Sequence, residues 1–367
     1  MERLPLHHHR RGLARTRRAL ARGGITVGFV GGSITDQRPR CNWPEPVAAW
    51  FVEAFPGVRL AVENAAIGAT GSDLAVFRAQ RDLIERGCDL VFIEFAVNDG
   101  GEPAEKRMRT REGLVRKLLA GEGRDLVITY TYAQDMYADM AAGRVPATIA
   151  EFETLAEHYD IGSVWMGLHA LREVMAGQMR WEEWLPDGLH PQQRGSLSYG
   201  QGVTAFLETE LRQPRGGRRP GAAGRRLPAP LNPRHWQAAC ALPFSAVSLS
   251  GPWIVRRHTG LVWMDQVLET AAPGAKLSFT FTGRGLALGF DFGRSSAEFR
   301  YSLDGGEWLA SRRDRPGWCG NEGWYRLFTV AEELAPAPHR FELEVVHGNQ
   351  PDCTGTNFRL ALIGVIP

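Results

Sequence analysis

The sequence predicts an α/β domain built on a parallel sheet, followed by a separate all-β domain. Three observations predict it. Short β-branched apolar runs alternate with helical patterns as far as residue 211. The stretch 213–234 is dense in Pro, Gly and Arg and shows no periodicity. Beyond it, apolar and polar residues alternate with a period of two. A chain of 367 residues accommodates two domains of ordinary size. They are placed at 1–212 and 235–367, with 213–234 as a linker. At 44% hydrophobic and 23% charged residues the composition is globular, and a net charge of +2 implies no polyanionic partner, so no nucleic acid.

Residues 10–22 predict a short basic helix, and His7, His8 and His9 before it a solvated tail. Residues 25–30 predict the first buried strand, ending in Gly31-Gly32-Ser33-Ile34-Thr35. Asn42, with Glu45 three residues on, predicts a helix cap, and Val47, Trp50, Phe51 and Ala54 give that helix one buried face. Residues 58–62 are a second strand leading into a loop that carries Asn64, Gly68 and Gly71. Residues 90–97 are a third, ending at Asn98-Asp99-Gly100-Gly101. A helix at 109–119, a strand at 126–132, a helix at 149–159 and a short strand at 164–166 follow. The loop Leu185-Pro186-Asp187-Gly188-Leu189-His190-Pro191 precedes a closing helix at 196–211.

The apolar run at 25–30 is too short for a signal h-region, and no run approaches the ~20 apolar residues of a membrane span. The expectation is a soluble, cytoplasmic protein without a membrane partner. Five scattered cysteines, none in a C-x-x-C, predict neither a disulfide framework nor a zinc site, with a Cys319–Cys353 pair left open. The sequence carries no signal of oligomeric state.

In the second domain Leu277, Phe279 and Phe281 alternate with polar residues, as do Phe299, Tyr301 and Leu303, and Phe341, Leu343 and Val345. Short strands with one apolar face predict a β-sandwich, and Asp304-Gly305-Gly306 predicts a hairpin turn.

The polar loops of the first domain fall on what should be one sheet edge, where open α/β sheets bind their ligands. Acyl transfer needs a nucleophile, a base, an orienting group and an oxyanion hole. Ser33 after two glycines suits the nucleophile, His190 the base, and Asp187, three residues before it, the orienting carboxylate. The N–H groups of Ser33 and Gly68 and the amide of Asn98 suit the oxyanion hole. This chemistry needs neither metal nor cofactor.

Singly, each piece is ordinary turn chemistry. Together and in this order, Gly31-Gly32-Ser33-Ile34-Thr35, the loop of Asn64 and Gly68, Val97-Asn98-Asp99 and Asp187-Gly188-Leu189-His190 resemble the blocks of the SGNH hydrolases, or GDSL esterases, over residues 23–212. The resemblance implies a flavodoxin-like three-layer domain and the same roles for these residues. Two points depart from it. Gly32 stands where the family usually has aspartate, and Gly71 competes with Gly68 for the second block. Glu94 and Asp99 are candidates for supporting hydrogen bonds.

For the substrate, Trp43 lies just after the nucleophile block and is expected to line the pocket, and Trp318 and Trp324 to stack on sugar rings. The second domain resembles the jelly-roll joined to SGNH domains in carbohydrate esterases, where it comes first in the chain. The expected activity is hydrolysis of small acyl esters, acetyl foremost, on a saccharide. The alternatives are a lipase- or thioesterase-like acyl hydrolase and an inert carbohydrate-binding protein.

Overall fold

Residues 4–36, 42–121, 123–212, 227–258, 260–261, 263–311, 316–319, 323–348 and 353–367 are described by a computed structural model. The chain divides into two units, Met1–Gln237 and Ala238–Pro367. Among the described residues no helix is long and apolar enough to cross a membrane.

The first unit runs β1 (His7–His8), α1 (Ala14–Ala21), β2 (Gly24–Gly31), α2 (Pro44–Ala54), β3 (Arg59–Asn64), α3 (Ser72–Ala79), β4 (Leu90–Glu94), α4 (Ala104–Leu119) and β5 (Asp125–Thr129). It continues with α5 (Tyr137–Ala141), α6 (Ala147–His158), β6 (Gly162–Val164), α7 (Met166–Met175), α8 (Trp181–Trp184) and α9 (Gln193–Leu207). The strand order is β1-β6-β5-β4-β2-β3. From β6 to β3 every pairing is parallel. Val27, Phe29, Val30, Phe92, Ile93, Val127 and Ile128 are buried, which explains why these strands appear in sequence as continuous apolar runs. The chain leaves β2 for β3 on one side and returns to β4 on the other. The topological switch point therefore lies at the carboxyl end of β2, where Ser33 follows.

The histidine run departs from expectation. His7 and His8 pair antiparallel with β6 as an edge strand, rather than forming a solvated tail. His7 Nε2 lies 2.8 Å from Gly202 O, and the His9 ring stacks on Phe206 with centroids 4.7 Å apart. Asn42 also differs, because Trp43 occupies the N-cap of α2 and no side chain caps it.

Of the expected linker, 213–226 lie outside the described residues. Residues 227–237 pack on α4 as part of the first unit. Glu112, fully buried, accepts the N–H groups of Leu231 and Asn232 at 2.6 and 2.7 Å. Arg116 donates to Pro228 O and Gln237 Oε1, both at 2.8 Å. Trp236, 2% exposed, rests beside Phe77 and over Gly113, where a Cβ would come within 2.6 Å of its backbone. The sequence-based boundary misplaces this strap because its order comes from tertiary partners and leaves no periodic trace.

The second unit contains β7 (Cys240–Ala241), β8 (Ser248–Ser250), β9 (Ile254–Arg257), β10 (Gln266–Thr270), β11 (Lys276–Gly283), β12 (Gly285–Asp291), β13 (Glu298–Leu303), β14 (Leu309–Ala310), β15 (Tyr325–Ala331), β16 (Ala337–Val346) and β17 (Phe358–Ile366). They form two antiparallel sheets, β15-β12-β17-β10-β9 with β7 on β17, and β14-β13-β16-β11-β8. The inward residues of both, including Leu277, Phe279, Phe290, Phe299, Phe341 and Phe358, share one core, as a sandwich requires. Asp304 and Gly305 turn the β13–β14 hairpin with φ of 55° and 71°. Cys319 and Cys353 are buried thiols rather than a disulfide, with Sγ atoms on Phe292 O at 3.5 Å and Ser296 O at 3.2 Å.

The strap yields a prediction. Glu112→Ala removes the acceptor for two backbone N–H groups of the strap and for the buried Tyr159 hydroxyl, at a cost of about 3 kcal/mol. Denaturant unfolding followed by tryptophan fluorescence should show a lower midpoint for the variant.

Candidate active site

The site stands on the carboxyl edge of the parallel sheet. After Gly31 the chain makes one tight turn, with the N–H groups of Thr35 and Asp36 on Gly32 O at 3.1 and 3.0 Å. Ser33 sits on that turn. A carboxylate with no solvent exposure lies beneath it. Glu94, at the end of β4, accepts Thr131 Oγ1 at 2.9 Å and Thr35 Oγ1 at 3.1 Å. Trp43 Nε1 donates to the same Thr35 hydroxyl at 3.0 Å. Burial pushes the Glu94 carboxyl up, against the pull of its hydrogen bonds.

The next loop is stitched to this turn. Ile67 N–H donates to Gly31 O at 3.0 Å, and Asn64 Nδ2 to Thr35 O at 2.8 Å. Gly68 lies against Ser33, since a Cβ on it would sit 3.5 Å from Ser33 Cβ. Gly71 faces elsewhere. A Cβ there would meet Asp99 Oδ1 at 2.6 Å, so its place is beside Asp99. Ala69, next to Gly68, adopts φ of 56°, an uncommon conformation for a residue with a side chain.

Asn98 opens the turn after β4. Its amide carbon lies 2.4 Å from where a Cβ on residue 32 would be. Gly32 and Asn98 are thus complementary, which accounts for the glycine at residue 32. Asp99 anchors the turn below. It accepts Arg111 Nε at 2.7 Å, and Ser72 N and Oγ at 2.8 Å each, and both members of the ion pair are buried.

His190 comes from the loop before α9. Gly188, with φ of 76°, allows the turn. Asp187 Oδ1 accepts the N–H groups of Leu189 and His190 at 2.9 and 2.7 Å, and its Oδ2 lies 2.7 Å from His190 Nδ1. His190 Nε2 is 2.8 Å from Ser33 Oγ. With Nδ1–H directed at the carboxylate, Nε2 presents its lone pair to the serine hydroxyl. Burial works against ionisation of Asp187, but the hydrogen bonds from the His190 backbone, the His190 ring and Leu189 outweigh it and hold the carboxyl below its ordinary value. The His190 and Asp187 side chains are 42% and 53% exposed, so this half of the site faces solvent.

Ser33, Gly68, Asn98, Asp187 and His190 therefore meet at one rim. Trp43 does not join them. It is 0% exposed and packs on Phe29 and Phe92, so it is a core residue bracing Thr35, not a pocket wall. Trp318 and Trp324 belong to the second unit, where Trp318 is 62% exposed and meets Trp324 edge-on with centroids 4.9 Å apart. Of the loop around them, 312–315 and 320–322 lie outside the described residues. Sequence reasoning missed Asp36. Its Oδ2 accepts the Gly68 N–H at 3.3 Å, and only its place one turn after Ser33 hinted at this.

The raised carboxyl of Glu94 means that the folded state holds its proton more tightly than the unfolded chain does. The stability it contributes is present below the ordinary carboxylate pKa and is lost as pH rises through the raised value. Glu94→Gln removes that dependence. Between about pH 5 and about pH 9 the Tm of the wild type should fall further than that of Glu94→Gln, and equal losses would count against the assignment.

No protein-family model and no curated protein matches the sequence. Solved structures do. A two-domain esterase active on acetylated mannans, co-crystallised with mannopentaose, aligns with a TM-score of 0.77 at 23% identity, over 97% of this chain and 96% of that one. A second structure described as a two-domain esterase active on acetylated mannans aligns with a TM-score of 0.77 at 22% identity, over 97% of each chain. Axe2, an acetylxylan esterase from Geobacillus stearothermophilus, aligns over 52% of this chain at 18% identity with a TM-score of 0.44. The chain shares the two-domain fold of the first two, a parallel α/β unit followed by an antiparallel β unit.

Proposed function

We propose that the chain is a serine esterase that removes small acyl groups, acetyl foremost, from the hydroxyls of a saccharide. The observation that carries this reading is the relay from Asp187 Oδ2 through the His190 ring to Ser33 Oγ, with links of 2.7 and 2.8 Å. Ser33 Oγ attacks the ester carbonyl while His190 Nε2 takes its proton. Asp187 holds the imidazole in the tautomer that can accept and stabilises the imidazolium. Collapse of the tetrahedral intermediate breaks the bond to the alcohol, which leaves with the proton from His190. Water then attacks the acyl-serine by the same route, releasing the acid and restoring Ser33.

The N–H groups of Ser33 and Gly68 and the Asn98 amide are suited to receive the oxyanion, and one such donor is worth about 100- to 1000-fold in kcat. The substrate oxygen takes the Gly68 N–H from Asp36 Oδ2, which engages it at 3.3 Å in the free site. A saccharide is supported by the likeness to an esterase active on acetylated mannans and by the exposed Trp318 ring, a shape suited to sugar stacking.

The test begins with 4-nitrophenyl acetate. Wild type should cleave it, and Ser33→Ala should abolish cleavage with an unchanged circular dichroism spectrum. An acetylated oligosaccharide should lose acetyl by mass spectrometry, whereas a rate that climbs with acyl length would mark a lipase instead. His190→Ala should lower kcat by about 1000-fold or more with the fold intact, and an unchanged rate would remove His190 as the base.

The close fit of Gly32 to Asn98 gives a second outcome. Gly32→Asp, which restores the usual family residue, displaces the Asn98 amide. Its kcat should fall by about 10- to 100-fold with KM changed far less.

A further inference from the structure

We infer that the cleft beside Asn98 seats the leaving alcohol, and that it selects an uncharged sugar residue over one bearing a carboxylate or phosphate. The inference rests on the esterase reading and deepens it. The cleft has a volume of about 290 Å³ and lies within the first unit. One wall is the turn after β4, with Val97 before Asn98 and Gly100 and Gly101 after it. The facing wall is the segment after β5 and the start of α6, carrying Asp135, Asp139 and Thr148.

Position argues for the alcohol. Gln134 N–H donates to Gly188 O at 3.0 Å, so the wall that carries Asp135 is fastened to the turn that carries Asp187 and His190. The group that protonates the departing oxygen is His190, and the amide that meets the oxyanion is Asn98. A cleft lined by Val97 and Gly100, on either side of Asn98 in the same turn, and walled by a segment tied to the His190 turn lies where the alcohol would leave.

Chemistry argues for an uncharged polyol. Asp135 is exposed and offers two acceptor oxygens. Asp139 lines the cleft while holding Arg144 at 2.9 Å, and among the described residues no lysine or arginine lines the cleft. Thr148 Oγ1 is buried and has no hydrogen-bond partner among the described residues. The carboxylates accept from hydroxyl donors and repel an anion, and the Thr148 hydroxyl can donate to or accept from a sugar hydroxyl. Gly101 leaves open space above its backbone, where an added Cβ would meet nothing within 4 Å. The volume, at the lower end of the roughly 300 to 1000 Å³ of small-molecule sites, suits one ring rather than a chain.

The experiment measures kcat/KM on an acetylated neutral oligosaccharide and on an acetylated uronate-containing oligosaccharide, each divided by kcat/KM on 4-nitrophenyl acetate, which has no sugar. Gly101→Leu fills the cleft and should lower the neutral-saccharide ratio by about tenfold or more, chiefly through KM. Asp135→Lys inverts the wall charge and should raise the uronate ratio relative to the neutral one by about tenfold. Ratios within about twofold of wild type in both variants would overturn the assignment of the cleft. If the wild type instead cleaves no ester, or Ser33→Ala cleaves as well as wild type, it is the esterase reading that fails.

Discussion

The architecture of the rim depends on one carboxylate that never meets solvent. Glu94 ends the central strand β4, and its two oxygens take the hydroxyls of Thr131 and Thr35. These threonines belong to the segment that extends β5 and to the turn that follows β2. One side chain therefore ties three adjacent strands together at their carboxyl ends, directly below Ser33. A buried carboxyl is costly unless its oxygens are met. Here the cost is offset by the Thr131 and Thr35 hydroxyls, and the satisfied network holds the Ser33 turn in place. Trp43 completes it from the side of α2, donating to Thr35 while its ring fills the space beside Phe29 and Phe92.

A second buried polar set supports the turn that carries Asn98. Asp99 and Arg111 form an ion pair away from water, with Ser72 at the start of α3 on the same carboxylate. Removing one partner of such a pair costs more than the pair contributes, because the remaining charge is left unmatched. This fixes the turn from which Asn98 projects, and it explains Gly71, whose missing side chain makes room for Asp99. The two networks meet where the Asn98 amide presses on Gly32. Close packing at that contact transmits any change at position 32 to the Asn98 amide.

Much of this was legible in the sequence because it is local. The strands at β2, β3, β4 and β5 appear as apolar runs bounded by glycine and polar turns, and the short spacing of Asp187 and His190 lets a carboxylate reach its neighbour's ring. The illegible parts are those decided by distant partners. His7 and His8 have no strand pattern, and their pairing with β6 depends on a free sheet edge and on Gly202. Trp43 was misplaced because proximity to the nucleophile block says nothing about which way an indole points, and the space beside Phe29 and Phe92 claimed it. Residues 227–237 resemble a linker by composition, yet Glu112 and Gly113 on α4 hold them. The choice between Gly68 and Gly71 needed coordinates, since both are glycines in one loop and only one touches Ser33.

The site is thus divided into two mechanical halves. Ser33 and Asn98 rest on buried networks and cannot shift without disturbing the sheet. Asp187 and His190 stand on a half-exposed turn whose shape is set by its own contacts, the left-handed Gly188 and the carboxylate that gathers two backbone N–H groups. That turn needs an outside fastening to keep Nε2 at the serine, and the hydrogen bond from Gln134 to Gly188 supplies one. The relay is also the part most weakened by water, because solvent screens the attraction between imidazolium and carboxylate. Under the proposed mechanism, a substrate that covers the turn would strengthen this relay by excluding solvent, coupling substrate binding to activation of the proposed base.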